Sequence, residues 1–150
     1  MFKVVKNLAI WWPVTVLEPA EDNPGTLVEK KFQAQFVIRS RDEAKALQDE
    51  RNALLKQLPG SDDYLEDYAA ASAKAEEVNA AIEAHDNKVF HLNITNWKDV
   101  VYDNDESMPM LFSSDALDMV LNLDRVRLAL VRAYDEAVSN DKARLGNSKA

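Results

Sequence analysis

Two stretches of alternating apolar residues near the start constrain this chain more than anything else in it. Between Leu8 and Glu18, Val14 and Val16 alternate with Thr15 and Leu17 behind the pair Trp11 and Trp12. Between Leu27 and Arg39, Phe32, Ala34, Phe36 and Ile38 share one face while Lys31, Gln33 and Gln35 share the other. A period of two marks half-buried strands. The polar loop from Glu18 to Thr26, with Pro24-Gly25 as its turn signal, joins them into a hairpin. Pro13 offers no ladder donor, which confines the first strand to a sheet edge or a strand start. A lone hairpin is marginal in water, so this one must lay its apolar face on helices supplied by the rest of the chain.

The rest of the chain reads as helix. Ser40-Arg41-Asp42-Glu43 is a capping-box pattern opening a helix from about Arg41 to Leu58, with Ala44, Leu47, Leu54, Leu55 and Leu58 as its apolar stripe. Pro59-Gly60 stops it. A second helix, capped by Ser61, is expected from about Asp62 to His91; it is rich in Ala and charge, with Leu65, Tyr68, Ser72, Ala75, Val78 or Asn79, and Ile82 as a thin stripe. The two make a helical hairpin, packed on the β-hairpin or serving as an arm for a partner. The expected class is therefore α+β, predominantly helical: an N-terminal β-hairpin over residues 1–39, packed on a helical hairpin over 40–92 and on two short C-terminal helices within 93–139. Residues 140–150 are expected to form a flexible tail, and the 150 residues to form one domain.

Function points to the stretch from Asn93 to Ser139. Trp97 to Tyr102 reads as a short strand or docking loop, Asp103 to Ser107 as an acidic turn, and Met108-Pro109-Met110-Leu111-Phe112 as an apolar lead into a helix capped by Ser113 or Ser114. Asp124 is expected to cap a last helix with Val126, Leu130, Ala133, Tyr134, Ala137 and Val138 buried, and Arg132 to pair with Glu136. The expected partner contacts are Trp97, Val100, Tyr102, Met110, Leu111 and Phe112, with Trp11 on the strand side. Large aromatics of this kind serve equally as core residues or as interface anchors. Adjacent Trp11 and Trp12 must point to opposite faces of a strand. Trp97 is assigned to the β-hairpin, whose apolar face needs cover.

Chemistry is weakly supported. His85 and His91 fall on different helix faces, and no Glu completes a metalloprotease pattern. A calcium loop starting at Asp103 would need Gly at its sixth position, where Met108 stands. The acids from Asp62 to Asp67 suit a helix start. With three Gly, Gly25, Gly60 and Gly146, no phosphate-cradling loop forms. No Cys exists to supply a disulfide, thiolate ligand or nucleophile. The expectation is no enzyme, no metal and no cofactor. A net charge of −8 and a pI near 4.8 disfavour nucleic acid and favour a basic or amphipathic protein partner. The absence of a long apolar run predicts a soluble, intracellular protein without signal peptide or membrane span, so Asn93-Ile94-Thr95 is not read as a glycosylation site.

The order Trp97-Lys98-Asp99-Val100, Asp103 to Glu106, Pro109, Phe112-Ser113, Asp115, Leu117 and Val126 to Tyr134 resembles the C-terminal part of tail assembly chaperones of long-tailed, siphovirus-like bacteriophages. Trp12 to Val16 and Lys31 to Phe36 resemble the N-terminal strands of the same phage proteins, leaving the helical hairpin outside the resemblance. The resemblance implies a non-catalytic protein of the host bacterial cytoplasm that binds the tape-measure protein, keeps its hydrophobic helices soluble, and recruits tail-tube protein. Such proteins leave before the virion is finished. Self-association is a further expectation. Two other classes are open: an acidic phage inhibitor or DNA mimic acting on a host protein, and a structural tail or neck component of the virion.

Overall fold

The computed structural model describes residues 1–139. The flexible tail expected over 140–150 lies outside the described residues. In chain order the elements are β1 (Leu8–Pro19), β2 (Leu27–Ile38), α1 (Arg41–Leu55), α2 (Ser61–Glu66), α3 (Tyr68–Asn93), β3 (Ile94–Lys98), β4 (Val101–Tyr102), β5 (Asp105–Pro109), α4 (Ser114–Leu121) and α5 (Asp124–Ser139). This is an α+β protein opened by an antiparallel hairpin. The chain forms two compact units: residues 1–38 together with the chain from Asn93 onward, and residues 39–92.

In the first unit β1 and β2 are paired along their whole length, from Leu8 opposite Ile38 to Pro19 opposite Leu27. The connecting loop contains a type II turn. Thr26 N donates to Asn23 O at 3.1 Å, Pro24 takes the first central position, and Gly25 takes the second at φ +86°, a value that favours glycine. The sheet order is β1-β2-β3, so β1 is an edge and Pro13 can turn its donorless nitrogen away from β2.

The register places Trp12, Val14, Val16, Ala34, Phe36, Ile94 and Trp97 on one face, and α5 covers it. The Tyr134 ring meets the Phe36 ring edge-on at 5.6 Å, Trp12 Nε1 donates to Glu136 Oε2 at 3.3 Å, and Arg125 Nε lies 3.3 Å from Glu18 Oε2. These three contacts lay α5 along β1 in the opposite direction. Glu136 thus accepts from an indole, and Arg132 has no ion pair among the described residues. The core of this unit is completed by Leu117 and Leu121 of α4 and by Val126, Ala129, Leu130, Ala133 and Ala137 of α5. Each buried Leu contributes about 1.5–3 kcal/mol. Val138, expected inside, is exposed.

The second unit is a helical hairpin. Ser40 Oγ accepts from Glu43 N at 3.3 Å to start α1. The helix ends earlier than expected, at Leu55, because the chain tightens into i→i+3 bonds, Gln57 N to Leu54 O and Leu58 N to Leu55 O, before Pro59. The single second helix expected from Asp62 is divided. Asp67 is extended (φ −151°, ψ 96°) and its Oδ1 accepts from Ala70 N at 3.1 Å, so it caps α3 rather than continuing α2. Leu65 and Tyr68 consequently leave the apolar stripe for the surface; Val78, not Asn79, is buried with Ile82, Ser72 and Ala75 are half-buried, and Ala71, outside the expected stripe, is buried as well.

α1 and α3 are clasped by charge. Arg51 donates from Nε and Nη2 to the two oxygens of Asp86 at 2.8 and 3.3 Å, His85 Nε2 bonds Glu50 Oε2 at 2.9 Å, and Lys88 Nζ lies 3.8 Å from the same Glu50 oxygen. Arg39 Nη2 donates to Leu92 O at 2.7 Å, closing the base. No residue of α1 is fully buried; Leu47, Leu54 and Leu58 are half-buried on one side.

Candidate protein-binding segment

The segment after α3 contains three short strands, where a short strand or docking loop followed by a turn was expected. β3 adds to β2 with Trp97 opposite Ala34. Asp99 then adopts a left-handed conformation at φ 65°, which turns the chain into the small hairpin β4–β5. Asp103 and Asn104 form its loop, since Tyr102 pairs with Asp105. The acidic stretch expected as a solvated turn through Ser107 is therefore partly strand. Within it, Asp105 Oδ1 accepts from Ser107 Oγ at 2.6 Å and from Ser107 N at 3.0 Å, and these bonds hold its carboxyl below the usual range.

Met110 closes this excursion. Its N–H donates to Val100 O at 2.8 Å and its carbonyl accepts from Trp97 Nε1 at 2.6 Å. Phe112 then stands edge-on to Trp97, with centroids 5.1 Å apart and planes at 88°. Ser113 Oγ accepts from Ala116 N at 3.0 Å and starts α4, so of the two serines the first is the cap.

The seven expected contact residues separate into three groups. Trp97 is 6 % exposed and uses its ring and its N–H within the fold. Phe112, Val100 and Met110 are half-buried around it. Tyr102 is exposed, and Leu111 is 79 % exposed. Trp11 is half-buried on the sheet face opposite Trp12, with Lys98 Nζ 4.0 Å from its ring centroid. The structure brings Trp97, Val100, Met110 and Phe112 together, with Leu111 and Tyr102 on the same segment. Trp11 belongs to a separate place on the sheet.

Val101, Met108, Met119, Leu128 and Val131 are also exposed apolar residues of this unit, and the sequence reading did not single them out. Leu128 and Val131 follow from helical spacing, because a stripe containing Val126, Leu130 and Ala133 leaves them outside. Val101 and Met108 needed the β4–β5 pairing. Among the described residues, no group of three or more His, Cys, Asp or Glu is arranged to hold a metal, and no helix is long and apolar enough to cross a membrane. The chain matches no family model, no curated protein and no solved structure.

Proposed function

We propose that this chain is a tail assembly chaperone of a long-tailed bacteriophage, a non-catalytic protein of the infected bacterial cytoplasm. It binds the tape-measure protein, keeps that protein's amphipathic helices soluble, and brings tail-tube subunits to it. The observation that carries this reading is the division of labour in the segment from Trp97 to Phe112. Trp97 and Phe112 hold the segment to its own unit, while Leu111, Tyr102, Val101 and Met108 stay on the surface. An apolar surface on a well-anchored support is suited to holding an amphipathic client.

Co-purification from infected cells with a tag on this chain tests the reading. Recovery of a large helical tail protein is the expected result, and recovery of a host enzyme alone would overturn it. Mass spectrometry of finished particles separates chaperone from virion component, since the chaperone is absent from them.

A further inference from the structure

The tip of the helical hairpin has a chemistry unlike its shaft. Between Lys56 and Lys74 the chain holds no Lys, Arg or His, while Asp62, Asp63, Glu66 and Asp67 crowd around α2. Two of these acids serve the backbone. Asp63 Oδ2 accepts from Gly60 N at 2.9 Å and Asp67 Oδ1 from Ala70 N, which leaves Asp62 and Glu66 exposed to solvent.

The apolar side of the tip is equally open. Leu65 is 86 % exposed and Tyr68 is 73 % exposed. The Tyr64 ring lies 5.7 Å from that of Tyr68, so the two rings pair across the break at Asp67. Asp62, Leu65 and Glu66 are spaced to share one face of α2. The break is built, with an extended residue and a bonded cap, and its result is to put a leucine and a tyrosine into water beside two free carboxylates. Tyr68 is the first residue of a 26-residue helix, about 38 Å along it from Asn93.

We propose that this tip is a docking surface for a basic amphipathic helix of a partner protein. The apolar edge of that helix packs on Leu65, Tyr64 and Tyr68, and its Lys or Arg residues lie beside Asp62 and Glu66. The occupant is chosen by charge: Asp62, Asp63, Glu66 and Asp67 outnumber Lys56 and Lys74, the two lysines that border them, and this excess of acid repels an acidic helix and draws in a basic one. The proposal rests on the chaperone reading only for the identity of the partner.

The probe is a fluorescein-labelled helical peptide of Leu and Lys, with Leu at every third and fourth position, titrated by anisotropy against the full chain. Saturable binding is expected. Leu65→Ala/Tyr68→Ala weakens it roughly ten-fold or more, as truncating central anchors does. Asp62→Asn/Glu66→Gln weakens it and flattens its salt dependence. Glu21→Gln/Asp22→Asn, an equal charge change in the β1–β2 loop, leaves it unchanged. Circular dichroism melts confirm folding, since all of these positions are exposed. Unchanged binding by the tip variants, or equal weakening by the Glu21/Asp22 pair, overturns the proposal. Co-purification with wild type and with Leu65→Ala/Tyr68→Ala separates the two readings. A tail protein recovered by wild type alone supports both, and one recovered by both baits supports the chaperone reading and overturns the tip as the place where that protein is held. If neither bait recovers one, the chaperone reading falls, and the peptide titration still decides the tip.

Discussion

Trp97 donates its indole N–H to the carbonyl of Met110 at 2.6 Å, and this bond ties β3 to the lead-in of α4. Trp97→Phe keeps most of the ring but leaves a partly buried carbonyl without its donor, an expected loss of about 1–3 kcal/mol in urea unfolding. Phe112→Ala removes the edge-on partner and is expected to cost about 2–4 kcal/mol, Phe112 being half-buried rather than enclosed. A Phe112→Ala variant that lost client capture with an unchanged unfolding midpoint would instead make Phe112 a contact residue.

Gly25 and Asp99 both hold positive φ, and each can be tested through its backbone. An added Cβ at Gly25 meets nothing within 4 Å, so Gly25→Ala measures conformational cost alone, expected at about 1–2 kcal/mol. Asp99→Val should cost at least as much, because a branched side chain tolerates this region worse, while Asp99→Gly should be neutral or stabilising. Denaturant midpoints of the three variants give the comparison.

The Arg51–Asp86 fork is the best-formed ion pair between α1 and α3. Both side chains are about one third exposed, so water screens the pair and Arg51→Ala should cost only about 1 kcal/mol. Arg51→Lys cannot reproduce the two-pronged geometry and should recover only part of that loss. Double-mutant cycles with Asp86→Ala measure the coupling.

Glu50 gives the hairpin a pH dependence. The hydrogen bond from His85, then the nearby Lys88 charge, lowers the Glu50 pKa below its ordinary value. A carboxylate whose folded pKa is depressed stabilises the fold above its unfolded pKa and loses that contribution as pH falls through the folded value. Melting temperature should therefore drop below the ordinary carboxylate range, and Glu50→Gln should reduce the drop. Equal pH profiles for the two proteins would remove Glu50 from the account. His85 keeps a buried Nδ1 without a hydrogen-bond partner, so its other nitrogen is the one that joins the clasp.

Much of the local structure was legible in the residues themselves. Alternation marked β1 and β2, Pro24-Gly25 marked their turn, Ser40 and Ser113 marked helix starts, and the spacing of Val126, Leu130, Ala133 and Ala137 marked the buried side of α5. These signals are local because capping, turn geometry and side-chain periodicity act over a few residues. Asp67 was misread for the same reason from the opposite side: an acid near a helix start fits the first turn of one helix or the cap of the next, and only the backbone at that residue decides.

The sequence by itself determined that a hairpin would need helical cover and that Trp11 and Trp12 would face opposite ways. The tertiary structure alone decided that α5 supplies the cover, that Trp12 meets Glu136, and that Trp97 joins the same sheet as a third strand. It also decided that Leu65 and Tyr68 lie outside while Val78 and Ile82 lie inside. Those outcomes depend on pairings between residues far apart in the chain, where many partners have similar apolar character and packing selects among them.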